Sequence, residues 1–194
     1  NGKLWEPQNF EPLPDEYLCV RDALAHSVNR TAVDLAMQVG LERVVNTVSS
    51  LQFSTPCKPV PSVALGAYEV IPLELARAYC AFAADGALPY PLSFKQVVDE
   101  RGKPLERRHM TIERAFSPAK AYMITSLLRS AVTEGTARSL PTLGISFPVA
   151  GKTGTTNDFR DAWFVGYTPS ILALVWVGFD DESSIHTTGS RAAL

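Results

Sequence analysis

The chain has 194 residues, of which 46% are apolar and 20% are charged, and its net charge is -2. This composition is that of a folded globular domain, and the length is enough for one domain or a large part of one. The nearly neutral charge excludes the basic surface that nucleic-acid binding requires, so we expect no nucleic-acid partner. The longest apolar run, 171–179, is too short to cross a bilayer as a helix.

The chain opens on "NGKLWEP" instead of Met, so we expect an excerpt of a longer protein, and the lack of a leader sequence is uninformative. Its few cysteines and histidines lack the spacing of metal ligands. We therefore expect no metal site and no cofactor, and we expect the cysteines to be small buried thiols. The residues are Cys19, Cys57, Cys80, His26, His109 and His186.

The first part of the chain, 15–86, is predicted to be rich in helices. After a proline-rich extended segment, an acidic start at Asp15 suits a helix over 15–26, and a second helical pattern runs over 31–39 to Gly40. A helical stripe follows over 41–51. A further helix starts at Pro72 and runs to about residue 84.

The second part, 92–194, is predicted to contain the sheet. Residues 92–107 read as a hairpin around "DERGKP", and a long helix starts at Ser117-Pro118. Three strands are expected over 147–153, 162–167 and 171–179. The last is apolar on both faces, which predicts a central strand covered on both sides. Short connections favour antiparallel neighbours, so the predicted fold is α+β, with helices packed on an antiparallel sheet.

The stretch "VAGKTGTTND" at 149–158 has the composition of an anion site. A phosphate loop would need a glycine separated by four residues from Gly-Lys-Thr, and the chain has Ser146 at that position. It would also need a helix immediately after the lysine. Neither condition is met. The alternative anion is a carboxylate at a sheet edge, because a Lys-Thr-Gly strand is one of three elements of the serine acyl-transferases that recognise penicillin.

A second such element, Ser-x-Asn, is present upstream as Ser27-Val28-Asn29, between two predicted helices. The order of the two elements and the placement of "SVN" on a loop strengthen the weak Lys-Thr-Gly signal. The alternative is that Ser27 and Asn29 only cap helices, which is what these residue types do most often.

Together these segments resemble the transpeptidase domain of class A, bifunctional penicillin-binding proteins. The resemblance covers nearly the whole chain and is carried by "WEPQN", "RDALAHSVNRTAVDLAMQVG", "LLRSAVTEGTA" and, most specifically, "GKTGTTNDFRDAWFVGYTP". It implies a β-lactamase/transpeptidase-like fold and a D,D-transpeptidase of cell-wall synthesis in a parent protein that is also a peptidoglycan glycosyltransferase. The implied partners are D-Ala-D-Ala stem peptides and β-lactams. The implied location is the periplasmic face of the inner membrane, with an upstream segment as the anchor.

Carried over by position, the resemblance assigns a role to each site residue. Ser27 would relay a proton to the leaving amine, with Lys152 as its electrostatic partner. Asn29 would hold the substrate amide and the lysine of the nucleophile helix. Thr153 and Thr155 would bind the substrate carboxylate, and Gly154 would leave the strand edge open to substrate. The Thr155 N–H would form half of the oxyanion hole.

The chain departs from the family where the nucleophile should be. No Ser-x-x-Lys precedes Ser27, and the strands that normally precede that helix are also absent. The one matching tetrad, "SPAK" at 117–120, follows Ser-x-Asn and is predicted to be a helix N-cap. We therefore expect an incomplete domain that is inactive alone. It should expose apolar surface on 171–179 and on the helices that flank Ser-x-Asn, and it should self-associate or be partly disordered around Ser27.

Two other classes of function stay open at this stage, a non-catalytic penicillin-like sensor module and a serine β-lactamase relative. The upstream sequence and labelling by fluorescent penicillin would separate them from a transpeptidase. Several nearby residues receive structural interpretations. A turn is expected at Thr156, Asn157 and Asp158, an ion pair between Arg160 and Asp161, core positions for Trp163, Phe164 and Trp176, and a solvated Arg138.

Overall fold

The computed structural model describes residues 5–10 and 18–194. The predicted acidic helix start at Asp15 and most of the predicted extended segment therefore lie outside the described residues. The helices are α1 (Val20–Ala25), α2 (Asn29–Val39), α3 (Leu41–Ser49), α4 (Pro72–Ala83), α5 (Pro118–Thr133) and α6 (Gly189–Ala192). The strands are β1 (Ala87–Pro89), β2 (Gln96–Val98), β3 (Pro104–Arg107), β4 (Ile112–Arg114), β5 (Ala150–Thr155), β6 (Asp161–Tyr167) and β7 (Leu172–Gly178). Short 3₁₀ turns cover Pro61–Leu65, Leu140–Leu143 and Asn157–Phe159.

The helix boundaries follow the signals in the sequence except at α1, which begins at Val20, after the non-helical residues Leu18 and Cys19. Proline occupies the first turn of α4 and of α5, where its missing N–H costs nothing. The Ser117 hydroxyl accepts from the Lys120 N–H, so this serine caps α5 as predicted. Gly40 ends α2 with φ +100, a conformation that a side chain disfavours. α2 begins at Asn29, two residues earlier than predicted, so Asn29 is helical and does not lie in the loop.

The main sheet is antiparallel with the order β5-β6-β7. Lys152 of β5 lies opposite Val165 of β6, which lies opposite Leu174 of β7. The prediction that 171–179 forms a central strand is wrong, because among the described residues β6 is central and β7 is an edge of this sheet. Its apolar side chains are correspondingly open, with Ile171 71% exposed and Trp176 40% exposed. The expected exposure of apolar surface on this segment is therefore confirmed.

Two small sheets complete the strands. β2 and β3 form the predicted hairpin, and the Asp99 carboxylate accepts from the N–H groups of Arg101 and Lys103 in its turn. β1 pairs with β4 at the base of this hairpin. That pairing was not predicted, because each strand has three residues and the two are far apart along the chain.

The core has two clusters, and α5 contributes to both. One cluster contains buried residues from the end of α5 and the segment after it, from β6, and from the C-terminal end of the chain. They are Val132, Ala137, Leu140, Ala162, Phe164 and Ala193. The other joins Leu128, Ala150 and Tyr167 to the helix-rich part through side chains of α1 and α4, namely Leu24, Tyr79 and Phe82. The second cluster therefore joins the two parts of the chain and fixes α1 relative to β5.

Three further expectations are corrected by the structure. Cys19 is exposed and its thiol donates to Asp22, so it is not a buried thiol. Arg160 pairs with Glu182 at 2.9 Å instead of Asp161, because Asp161 accepts the indole N–H of Trp176. That indole lies on the exposed strand β7, so Trp176 is not a core residue, whereas Phe164 is buried as expected.

No helix within the described residues is long and apolar enough to cross a membrane.

Candidate active site

The structure brings the two sequence motifs together. The Lys152 ammonium donates to the Ser27 hydroxyl with 3.0 Å between Nζ and Oγ, although the residues are 125 positions apart. Lys152 also donates to the Thr153 carbonyl at 3.0 Å. A lysine and a serine in direct contact at the rim of a sheet form a pair that can pass a proton and attract an anion.

Ser27 is held in a conformation that serine rarely adopts. It follows α1 with φ +57, in the left-handed region. The Ser27 N–H bonds the Leu24 carbonyl and the Val28 N–H bonds the Ala23 carbonyl, which is the Schellman pattern of a helix end. Glycine is the usual residue at this position, so serine here costs stability. The turn presents the Ser27 hydroxyl toward β5 while Val28 is buried.

The strand side of the site is an edge, since β5 pairs only with β6 within the described part of the chain. The Thr156 N–H bonds the Asp161 carbonyl, which fixes the even-numbered residues as those bonded to β6. The N–H and C=O groups of Thr153 and Thr155 therefore point outward. The bond from Lys152 to the Thr153 carbonyl agrees with this direction. An extended peptide could add to this edge through backbone hydrogen bonds.

Burial changes the chemistry of Lys152. Loss of solvent around its ammonium lowers the pKa from the ordinary value of 10.5 to about 8. No carboxylate of the described residues pairs with it, since the ion pairs found there lie elsewhere. Lys152 is therefore mostly protonated at neutral pH and loses its charge as the pH rises through about 8.

The side chains of Thr153 and Thr155 leave the strand on the side opposite to that of Lys152, because successive residues of a strand alternate. Thr153 is 9% exposed, and its hydroxyl lies 2.6 Å from that of Thr136. Thr155 is exposed, and its hydroxyl accepts from the Gly189 N–H at 2.9 Å. A hydroxyl that accepts keeps its own proton, so Thr155 can still donate to an anion, and one proton of the Thr136–Thr153 pair is also free.

Asn29 is not brought to Lys152. Its amide donates to the Gln8 carbonyl at 2.7 Å, and the Asn9 carboxamide accepts from the Arg30 N–H at the start of α2. Arg30 also pairs with Glu6. The segment 5–10 is thus tied to the N-terminal end of α2, and the Asn29 side chain takes part in holding it.

Sequence reasoning missed the residues that position Ser27. Arg21 donates from one guanidinium nitrogen to the Ser126 carbonyl and the Ser130 hydroxyl, which ties α1 to α5. Gly135 lies so close to α1 that a Cβ would be 2.1 Å from the Ala25 carbonyl oxygen. In the sequence this segment is marked only by the pattern "EGT" after the helix, and such a pattern does not predict which residues it contacts.

The remaining candidates lie away from the Ser27–Lys152 pair. Ser117 and Lys120 are at the N-terminal end of α5, whose 16 residues span about 24 Å, while Thr136, just after the opposite end, contacts Thr153 of β5. Thr156 to Phe159 form a turn, as predicted, with Asp158 at φ +60. Arg138 is exposed. Within the described residues, no group of three or more His, Cys, Asp or Glu side chains is placed to hold a metal ion.

Comparison with known proteins identifies the family to which the chain is similar. Residues 3–179 match the penicillin binding protein transpeptidase domain. The chain is 42% identical to penicillin-binding protein 1A of Aquifex aeolicus over 195 aligned residues, covering 100% of this chain and 26% of that protein. It is 34% identical to penicillin-binding protein 1A of Neisseria flavescens, covering 97% of this chain and 24% of that protein.

A solved structure gives the same result. The crystal structure of penicillin-binding protein 1A from Haemophilus influenzae superposes with a TM-score of 0.88 at 25% identity, covering 98% of this chain and 34% of that chain. The chain thus spans about a quarter of the length of the curated relatives it matches. With two family motifs in contact across a helix–sheet boundary, and with this coverage, the chain belongs to the penicillin-binding protein transpeptidase domain family.

Proposed function

We propose that this chain is part of a peptidoglycan D,D-transpeptidase that works through an acyl-serine intermediate and is acylated by β-lactams. In this reaction a serine attacks the D-Ala-D-Ala amide and expels the last D-Ala, and an amine of a neighbouring stem peptide then releases the acyl group from the serine. The observation that carries the proposal is the 3.0 Å contact between Lys152 Nζ and Ser27 Oγ in a chain of this family.

The geometry supports distinct roles for the residues of the site. Ser27 accepts a hydrogen bond from Lys152 and retains its own proton, so it can pass that proton to the leaving amine. The Lys152 charge favours an anionic substrate and the charge that develops during acylation. The outward N–H of Thr155 supplies one oxyanion donor, and a substrate backbone can pair with the edge where Gly154 has no side chain.

We assign the substrate carboxylate to the threonines of β5. Thr155 is exposed and keeps a free hydroxyl proton, so it is the better placed of the two. Thr153, which is 9% exposed, contributes beside it with its own hydroxyl. Asn29 keeps the carbonyl oxygen of its side chain for a substrate N–H or a lysine of the nucleophile helix, while its amide holds the segment 5–10.

The nucleophile is expected outside these 194 residues. The chain's one Ser-x-x-Lys begins at Ser117, which caps α5 far from Lys152. A proton relay and an oxyanion donor cannot replace a nucleophile, so the 194-residue chain alone should not be acylated. We expect the longer protein to supply Ser-x-x-Lys before Ser27 and to carry a glycosyltransferase region as well.

Labelling with a fluorescent penicillin tests this proposal. The full-length protein that carries this chain should form a stable adduct on a serine upstream of residue 1, and the isolated chain should form none. Rapid hydrolysis of the adduct would indicate a β-lactamase, and no labelling of the full-length protein would indicate a sensor module. Adduct formation on Ser117 would contradict the assignment of the site.

The location and the assembly of the protein also belong to this proposal. A peptidoglycan substrate lies outside the cytoplasmic membrane, so we place the domain at the periplasmic face, with a membrane anchor upstream. We expect the isolated chain to self-associate through exposed apolar side chains of β7, including Val175 and Trp176. Sedimentation of the isolated chain checks this, and a monomer at micromolar concentration would contradict it.

A further inference from the structure

The segment that follows α5 touches both halves of the candidate site. The Thr136 N–H donates to the Ala25 carbonyl at 3.1 Å, two residues before Ser27. The Thr136 hydroxyl lies 2.6 Å from the Thr153 hydroxyl, one residue after Lys152. A single residue is thus bonded to the turn that presents the serine and to the strand that presents the lysine.

The segment itself is firmly attached to α5. The Gly135 N–H bonds the Ser130 carbonyl at 3.1 Å, and the Ala137 N–H bonds the Ala131 carbonyl at 3.0 Å. Ala137 is fully buried. Threonine is branched at Cβ, which restricts the direction of its hydroxyl. Thr136 is therefore a fixed point between α1 and β5 and does not belong to a mobile loop.

The close approach of α1 depends on the same segment. A Cβ on Gly135 would lie 2.1 Å from the Ala25 carbonyl oxygen and 2.9 Å from the Ala131 Cα, so only glycine permits the observed distance. Arg21 holds the other end of α1 to α5 through Ser126 and Ser130. With α1 only six residues long, these contacts decide where its C-terminal turn lies.

We propose that Thr136 is a positioning residue that sets the Ser27–Lys152 contact by binding the Ala25 carbonyl and the Thr153 hydroxyl at once. The inference rests on the proposed transpeptidase function. Thr136 does not touch the reacting groups and acts through Ser27 and Lys152. Its hydroxyl should matter for the acylation step, which needs the two side chains in register, and less for the initial binding of the β-lactam.

The test uses the full-length protein, with acylation by a fluorescent penicillin resolved into the rate constant k2 and the apparent binding constant K. Thr136→Val keeps the shape and the backbone N–H but removes the hydroxyl. We expect k2 to fall about 3- to 10-fold, the effect of one lost hydrogen bond, with K nearly unchanged. Thr136→Ser restores the hydroxyl and should recover a rate within about twofold of the unmodified protein.

Thr133→Val is the matched control, because among the described residues the Thr133 hydroxyl bonds only the Arg129 carbonyl, within α5. It should leave k2 unchanged. The Thr136→Val effect should also disappear when Thr153 is already valine, because the pair is then broken. Equal losses in Thr136→Val and Thr136→Ser would overturn the inference, and so would an unchanged Thr136→Val or a loss confined to K.

The outcomes also separate this inference from the proposed function. If the unmodified protein is labelled and Thr136→Val matches it, only the positioning role is wrong. If the unmodified full-length protein is not labelled, the transpeptidase proposal is wrong, and the positioning role is wrong with it. Melting temperatures of all variants identify a variant that fails to fold. If Thr136→Val does so, Thr136→Ala, which also lacks the hydroxyl, takes its place and is compared with Thr136→Ser.

Discussion

The two sides of the candidate site are built differently. Lys152 lies on a strand whose register with β6 is fixed by six paired positions, and the sheet continues on into β7. Ser27 lies on a left-handed turn after a six-residue helix. The strand is held by its own backbone ladder, whereas the turn depends on contacts made by α5 and the segment after it.

Because of this difference, we expect substitutions on β5 to alter the reaction chemistry and substitutions around α1 to alter the position of Ser27. Substitutions on β5 remove a charge or a donor but leave the backbone in place. Substitutions around α1 leave every reacting group present, but they can move the Ser27 hydroxyl away from Lys152. Because the contact is a single hydrogen bond of 3.0 Å, a displacement of one ångström would break it.

The largest effect is expected from Ser27 itself. Loss of the proton relay in Ser27→Ala should lower the acylation rate of the full-length protein by about 100- to 10,000-fold. Ser27→Gly should lower the rate equally, because the hydroxyl is also lost. However, glycine suits the left-handed turn, so this variant should be more stable than Ser27→Ala by about 1 kcal/mol in denaturant unfolding. Equal stabilities would show that the turn stores no strain.

The next effect is expected from Gly135→Ala. Its Cβ would meet the Ala25 carbonyl at 2.1 Å, so α1 must shift. We expect a loss of about 1–3 kcal/mol in unfolding free energy and at least about a tenfold loss in acylation rate. Gly66→Ala is the control, because its Cβ meets nothing within 4 Å although φ is +69. It should lose about 1 kcal/mol and acylate normally. A normal rate for Gly135→Ala would show that the position of the Ser27 turn does not depend on this close approach.

The pH dependence of the acylation rate should reveal the contribution of Lys152 on β5. Burial lowers the Lys152 pKa to about 8, so the acylation rate should fall as the pH rises through about 8 and the ammonium is lost. Lys152→Arg stays charged and should be slower throughout but without this alkaline decline. A wild-type profile that is flat to pH 10 would contradict a role for the Lys152 charge.

The same shift has a consequence for stability. Between about pH 8 and 10.5 the unfolded chain binds a proton on Lys152 that the folded chain has lost. Stability rises with pH wherever the unfolded state binds more protons, so this residue makes the fold more stable as the pH rises through that window. Lys152→Met should remove this contribution, which denaturant unfolding at a series of pH values would measure.

The smallest effect is expected from Arg21→Lys. The guanidinium bonds the Ser126 carbonyl and the hydroxyls of Ser126 and Ser130, and a lysine cannot reproduce that fork. We expect a loss of about 1 kcal/mol in stability and about a two- to threefold slower acylation. Arg43→Lys, on the exposed face of α3, should change neither. A slower rate for both variants would point to a general charge effect.

Much of the fold could be predicted because its signals are local. Proline at the start of α4 and α5, the Ser117 cap and Gly40 after α2 each act on neighbouring backbone, so the sequence places these boundaries within a few residues. The β2–β3 hairpin follows from its turn residues in the same way. The pairing of β1 with β4 could not be predicted, because nothing in two three-residue strands specifies a distant partner.

The error on 171–179 has a clear physical reason. A run of apolar residues indicates that both faces of a strand are suited to burial, but it does not specify what covers them. In the structure β7 lies at the sheet edge with Val175 and Trp176 exposed, and the indole N–H bonds Asp161. The same limit applies to Cys19, whose helical pattern suggested burial but which lies exposed just before α1.

The sequence by itself determined the family motifs, their order along the chain and the residue types at the site, because these are properties of short segments. The tertiary structure alone decided that Ser27 meets Lys152, that Asn29 bonds Gln8, and that Thr136 links α1 to β5. Those contacts join residues up to 125 positions apart. They depend on how α5 packs against both α1 and the sheet, and no local pattern specifies that packing.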